Sequence, residues 1–332
     1  MRAPAFWWKP TPDVVAHMLS PFGALYGAVA SHRMGKAGAH VGAPVICVGN
    51  FVAGGAGKTP TAIAIARELL RAGETPFFLS RGYGAQSAVA APLVVDPSIH
   101  TSLDVGDEPL LLARAAPTIV CADRVAGARE GVAKGASVIV MDDGLQNPSL
   151  AKDTRIAVVD GGVGVGNGLC IPAGPLRAPL AAQFAMIDAL VIIGEGEAGA
   201  RIESIANQRK TPVIRARLAP DADASARLRG QRVLAFAGIG RPEKFFATLE
   251  SVGAKVVGTR SFPDHHPFSV DELSELSRQA DANDAILVTT EKDQARIGAS
   301  FATEVLPVTL EPDDASRFAA TIGPGIRGTP RA

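Results

Sequence analysis

The apolar run Pro44–Gly49 (PVICVG) leads into a glycine-rich stretch, Gly54-Gly55-Ala56-Gly57-Lys58-Thr59, and then into a helical pattern over Thr59–Ala72. Nothing else in the chain limits its fold as tightly. Glycines let backbone N–H groups turn inward on a polyphosphate, and the following helix adds its positive N-terminal end. In such a loop Lys58 reaches the β- and γ-phosphates and the Thr59 hydroxyl binds Mg²⁺. The strict spacing puts a glycine at position 52, where this chain has Val52. Gly54 and Gly55 compensate, and the strand-before, helix-after context is the one the loop requires.

Around this unit, short apolar strands alternate with helical patterns. Pro76–Ser80, Pro92–Asp96, Thr118–Ala122, Ser137–Met141 and Arg155–Asp160 read as strands, with helices over Glu108–Ala115 and Val125–Gly135. Strands apolar throughout imply a parallel sheet covered on both faces, wound by right-handed crossovers. Residues 160–180 break the pattern with dense Gly and Pro and read as a linker or a site loop. Alternation resumes at Ala189–Gly194, Pro212–Leu218, Arg232–Gly238, Lys255–Gly258, Ala285–Glu291 and Glu304–Leu310. The expected architecture is therefore α/β: a P-loop NTPase-like, doubly wound, mostly parallel sheet over 41–180 and a second, smaller α/β domain over 181–332. Residues 1–40 form a separate N-terminal segment.

Ser137–Met141 ends in Asp142-Asp143-Gly144, and a carboxylate at the C-terminal end of a strand beside a phosphate loop is suited to holding Mg²⁺. Phosphoryl transfer to an alcohol also needs a carboxylate to take the hydroxyl proton. Gly106-Asp107-Glu108-Pro109 offers two acids at a helix start, although N-cap and first-turn acids are common for purely local reasons. Asp264-His265-His266 and Ser80-Arg81-Gly82-Tyr83-Gly84 read equally well as turns.

Lys and Arg total 33 and balance 33 acids, so net charge gives no reason to expect a nucleic-acid partner. The three cysteines show no metal-ligand spacing and suit packing positions in a reducing compartment. No uninterrupted apolar run reads as a bilayer-spanning helix, and the N-terminus lacks the form of a cleaved signal. The first forty residues are nonetheless distinctive: Trp7 and Trp8 sit beside Lys9, and an amphipathic helix follows over Pro12–Met34. Arg2, Lys9, Arg33 and Lys36 face one acid there, Asp13. Aromatic rings beside a basic, apolar helix suit the headgroup layer of an anionic membrane, as docking on the domain also would.

Together, VGNFVAGGAGKTP (48–60), SRGYG (80–84), GDEP (106–109), MDDGLQ (141–146), GNGLCIPAGPLR (166–177), FAGIGRPEKFF (236–246), FPDHH (262–266) and TTEKD (289–293) resemble the tetraacyldisaccharide 4′-kinases, the lipid A 4′-kinases of Gram-negative bacteria. The resemblance runs in order over almost the whole chain. It implies a P-loop domain joined to a smaller domain with the active site between them, ATP and Mg²⁺ as cofactors, and a lipid substrate, tetraacyldisaccharide 1-phosphate. It also implies peripheral association with the cytoplasmic face of the inner membrane, and no obligate protein partner. By position, Asp107 resembles the catalytic base, His265 its partner, and Lys58 the phosphate-binding lysine. Asp142, Asp143 and Glu108 fall at metal positions, Tyr83 and Gln146 at nucleotide positions, and Asn167 and Arg177 at substrate positions. Two departures stand out: Asn147 replaces a histidine after Asp-Asp-Gly-x-Gln, and Ala178 replaces a glutamate after Pro-Leu-Arg. Two readings from other classes remain beside this one. A P-loop GTPase or metallochaperone-type switch would use the same loop, but no Asn-Lys-x-Asp segment is present to read guanine; a soluble small-molecule kinase would not need the apolar N-terminus.

Overall fold

The computed structural model describes residues 3–55, 57–86, 88–298 and 301–326; Ala56 of the phosphate loop lies outside the described residues. Eight strands follow in the first two thirds of the chain: β1 (Val45–Asn50), β2 (Pro76–Ser80), β3 (Leu93–Val94), β4 (Thr118–Val120), β5 (Val138–Asp142), β6 (Thr154–Asp160), β7 (Ala189–Ile193) and β8 (Val213–Pro220). Then come β9 (Arg232–Ala237), β10 (Lys255–Ser261), β11 (Ile286–Thr289), β12 (Glu304–Val305) and β13 (Val308–Pro312). The larger sheet runs β13-β8-β7-β6-β1-β5-β2-β4-β3 and the smaller one β10-β9-β11-β12. Pairing is parallel within both sheets except at the edges of the larger, where β3 and β13 run antiparallel to their neighbours.

β1 is buried along its whole length, as a strand covered on both faces must be. Successive side chains alternate between faces. Ile46 and Val48 join a cluster with Ile65 and Leu69 of the helix Lys58–Arg71, while Val45 and Cys47 pack with Ala128, Ile139 and Met141 on the other side. β1 lies between β5 and β6. The crevice beyond the C-terminal ends of these strands is where an open α/β sheet binds its ligands.

The division expected at residue 180 is corrected. β7 and β8 extend the larger sheet from β6, and β13 returns to its far edge. The smaller unit is confined to the segment from the helix Ala222–Leu228 to β12. An apolar strand looks alike in either sheet, so the boundary lies in the pairing and not in the composition. For the same reason Glu304–Leu310, expected as one strand, is two: β12 pairs with β11 in the smaller sheet and β13 with β8 in the larger, the chain crossing at Leu306-Pro307.

The Gly/Pro-rich 160–180 segment is a brace, not a linker. Ala53 N–H donates to Pro175 O (2.8 Å) and Arg177 N–H to Phe51 O (2.9 Å), so residues 175–177 support the approach to the phosphate loop. Val52 makes an isolated antiparallel bridge to Leu176 and is buried, which explains a valine where the strict motif has glycine.

The helix Val14–Met34 has 21 residues and, against the sequence expectation, is long and apolar enough by length and composition to cross a membrane. Its interruptions, Ser20 and Pro21, broke the run only on a residue-by-residue reading. The helix docks through small residues: at Gly23 and Gly27 an added methyl group would meet Cys170, Ala173 or Pro179. Val14, Met18, Phe22, Leu25 and Val29 recur at helical spacing and are all about half or more exposed.

Candidate active site

The helix Lys58–Arg71 begins at the crevice because Gly57 precedes it in a left-handed conformation (φ +80°), where a β-carbon would also strike the Ile193 side chain. Pro60 lies in the first turn, where no intrahelical N–H is required. Lys58 Nζ donates to Gly54 O (3.2 Å) and lies 3.7 Å from Asp143 Oδ2. Gly54, Gly55 and Gly57 lie in the turn between β1 and this helix.

Asp142 closes β5 beside this loop, with the Thr59 hydroxyl 3.5 Å from its Oδ2. Burial first, then the nearby Glu108 carboxylate, pushes its acid up to about 7. Burial would also raise Asp143, but Lys58 and Arg177 outweigh it and hold the group below the usual carboxylate range. Arg177 donates from NH2 to Asp143 Oδ2 (3.0 Å) and from Nε to Val52 O (3.0 Å). Asp143 itself has φ +51°, a conformation that a non-glycine residue keeps only where its surroundings enforce it.

Each of these aspartates keeps a buried Oδ1 without a hydrogen-bond donor. With the Thr59 hydroxyl they fit a Mg²⁺ ion. Among the described residues no group of three His, Cys, Asp or Glu side chains forms a closed metal cage. Mg²⁺ does not need one, since it keeps waters and takes phosphate oxygens as ligands.

Asp107 opens the helix Asp107–Ala113. The preceding Gly106 (φ +90°, ψ 159°) allows that abrupt start, and a β-carbon there would collide with the Tyr83 carbonyl. Asp107 Oδ1 accepts from Glu108 N–H (3.0 Å). Its Oδ2 lies 3.1 Å from His265 Nδ1 and 3.2 Å from Arg296 Nε. Neither is aligned as a hydrogen bond, so this buried oxygen retains acceptor capacity. Burial alone would raise the acid, but the His265 contact and the charges of Lys292 and Arg296 bring it down to about 2. His265 is raised in turn, mainly by Asp107. Its φ of +57° places the ring, and Tyr83 lies edge-on to it at 5.4 Å.

The structure therefore brings Lys58, Thr59, Asp107, Asp142, Asp143, Arg177 and His265 to one crevice between the two units. Other expected residues have different partners. Glu108, expected at the metal, pairs with Lys292 Nζ at 2.6 Å across the units, and burial followed by the Lys292 charge governs its titration, which ends below the ordinary value. Tyr83 is exposed and reaches His265. Gln146 donates to Asn50 O (2.8 Å) and Gln183 Oε1 (2.7 Å) behind the loop. Asn167 ties Ala173 O, Leu169 N–H and Phe6 O together, so it secures the brace and the N-terminus.

The two departures also have local accounts. Asn147 caps its own turn through Ser149. Ala178 is fully buried, its carbonyl held by Gln183 Nε2 (2.7 Å). Gln183, Lys292 and Arg296 were not singled out from the sequence. The Lys292/Arg296 pair, four apart on a helix, was a signal that those side chains share a face.

A glycine loop with its lysine and threonine, strand-end aspartates beside it and a buried acid paired with a histidine define a P-loop phosphotransferase. Residues 15–324 match the family model described as tetraacyldisaccharide-1-P 4′-kinase. The chain is 56% identical to the tetraacyldisaccharide 4′-kinase of Methylobacterium sp. (strain 4-46), with 99% of both chains covered. It is 55% identical to that of Xanthobacter autotrophicus, with 94% of both covered. The crystal structure of Aquifex aeolicus LpxK in complex with ATP superposes with a TM-score of 0.73 at 24% identity, covering 94% of this chain and 100% of that one. The chain belongs to the tetraacyldisaccharide-1-P 4′-kinase family.

Proposed function

We propose that the chain transfers the γ-phosphoryl group of ATP to the 4′-hydroxyl of tetraacyldisaccharide 1-phosphate, forming lipid IVA. The carrying observation is that Lys58, Thr59, Asp142 and Asp143 meet at the phosphate loop, while Asp107, whose buried Oδ2 has no aligned hydrogen bond, opens the helix whose next residue, Glu108, carries the carboxylate that raises Asp142. Loop amides and Lys58 stabilise charge on the transferred group, and Asp107 takes the hydroxyl proton. Thr59, Asp142 and Asp143 would hold Mg²⁺, which would supply charge neutralisation on the phosphates. A carboxylate with an acid near 2 is fully ionised at neutral pH but is a weak base. It accepts the proton late, once the attacking oxygen has become acidic, which suits a loose phosphoryl-transfer transition state. His265, raised by its neighbour, shares the abstracted proton.

The test is transfer of label from γ-³²P-ATP with Mg²⁺ to purified tetraacyldisaccharide 1-phosphate in detergent. A labelled lipid is expected. Nucleotide hydrolysis without labelled lipid keeps the P-loop reading and removes the lipid substrate; a preference for GTP favours the switch reading.

The exposed apolar face of Val14–Met34 supports peripheral membrane association, and a need for ATP supports the cytoplasmic face of the inner membrane as its side. Because the helix also covers Cys170 and Pro179, its removal would disturb the brace, so point changes are the cleaner probe. Met18→Glu, Phe22→Glu and Leu25→Glu together are expected to reduce co-sedimentation with anionic vesicles by at least about tenfold, from the lost apolar burial. Unchanged co-sedimentation would rule out this face as the membrane contact.

A further inference from the structure

The helix Glu291–Ile297 reaches from the smaller unit onto the helix that carries Asp107, with Lys292 opposite Glu108 and Arg296 opposite Asp107. Arg296 is 7% exposed, and its guanidinium has more than one task. NH2 donates to Gly238 O at 2.9 Å and lies 3.1 Å from Asp293 Oδ1. NH1 donates to His266 O at 3.3 Å. Gly238 O is also the acceptor for His265 N–H, at 3.1 Å. The same planar group therefore joins the end of β9, the turn carrying His265, and the carboxylate oxygen that His265 faces. That turn is held in a left-handed conformation at His265, which local sequence does not favour.

We propose that Arg296 is a positioning residue for phosphoryl transfer, fixing Asp107 Oδ2 and the His265 turn in one geometry from across the inter-unit crevice. This rests on the reading of Asp107 as the base. Asp107 belongs to the larger unit and the three groups that hold its charge, His265, Lys292 and Arg296, to the smaller, so the reacting carboxylate is in register only when the two units are docked. Lysine is not an adequate substitute: one ammonium cannot replace a planar fork that reaches three backbone carbonyls, of Lys292, His266 and Gly238, and two carboxylates at once. A purely structural ion pair predicts something different, a loss of folding stability with normal turnover in the folded fraction.

The test uses the full chain with labelled ATP, Mg²⁺ and the lipid acceptor in detergent, comparing Arg296→Lys, Arg296→Gln, Arg296→Met, Asp107→Asn and the Asp107→Asn/Arg296→Met double variant. Thermal melting is followed in parallel, and turnover is normalised to folded enzyme. Each Arg296 variant is expected to lose about 10- to 100-fold in kcat with KM for ATP changed by no more than about threefold, the scale of a misplaced reacting group. Arg296→Lys is expected to recover less than half of the loss on a logarithmic scale. The double variant is expected to be no slower than Asp107→Asn alone to within about threefold, because the arginine acts through that carboxylate. Turnover within threefold of wild type in folded Arg296→Gln, or losses that multiply in the double variant, overturns the proposal while leaving Asp107 as the base. Near-normal turnover in Asp107→Asn removes the base assignment itself, a result read independently of any Arg296 variant. If Arg296→Met does not fold, Arg296→Gln, single and combined with Asp107→Asn, gives the same comparison.

Discussion

Asp107→Asn is expected to lower kcat roughly 10²–10⁴-fold while ATP affinity stays within a few-fold of wild type. The asymmetry follows from where Asp107 sits. Its Oδ2 is buried, close to His265 and Arg296, and has no aligned hydrogen bond, whereas Lys58 and the glycine loop contact other partners. Removing the carboxylate charge therefore takes away a proton acceptor without dismantling the nucleotide cradle. The amide keeps the volume and can still accept from Glu108 N–H, so the helix start is preserved. Single-turnover transfer beside equilibrium nucleotide binding separates the two effects. Near-normal turnover would remove Asp107 from the mechanism, and loss of both turnover and nucleotide affinity would make it a structural residue of the loop.

Much of this site was legible in the chain, but unevenly. The phosphate loop announces itself because its chemistry is local: strand, glycines, Lys58, Thr59 and helix are contiguous. Asp142 and Asp143 are legible for the related reason that a strand end marks the open edge of a parallel sheet. Asp107 is different. Read locally it is an unremarkable first-turn acid, and only the family resemblance singled it out. Its special character comes from His265 and Arg296, far along the chain, as Glu108 is paired with Lys292 from 184 residues away. No periodicity encodes such a pairing. The domain boundary failed to show for a parallel reason: β7, β8 and β13 are ordinary apolar strands whose membership in the larger sheet is decided by hydrogen-bond partners. Gln146 and Asn167 carry structural bonds that the motifs do not reveal. They occupy motif positions, and Gln146 Nε2 and the Asn167 amide hold the loop and its brace, so motif membership here marks construction of the site.

Lys58→Ala is expected to reduce kcat by about 10²–10³-fold and, unlike the Asp107 variant, to weaken ATP binding as well. Two consequences of one lost charge combine. The ammonium is the buried cation of the loop, so the transferred phosphoryl group loses stabilisation that the remaining backbone amides supply only in part. Asp143 also loses the first of the three cations that lower it, leaving Arg177 at 3.0 Å and the charge of Arg124. Its carboxyl then moves upward in pH. Because a proton competes with Mg²⁺ for a carboxylate, the variant should need more Mg²⁺ for half-maximal activity, and the extra requirement should grow as pH falls. Lys58→Arg retains a charge but not the compact ammonium that fits beside Gly54 O, so it should preserve the Mg²⁺ requirement better than the turnover. Titrating Mg²⁺ at two pH values for wild type and both variants tests this. A Lys58→Ala enzyme with wild-type turnover would sink the loop assignment. One with low turnover but an unchanged Mg²⁺ requirement would show that Arg177 and Arg124 keep Asp143 ionised without Lys58, and would confine the role of Lys58 to the phosphates.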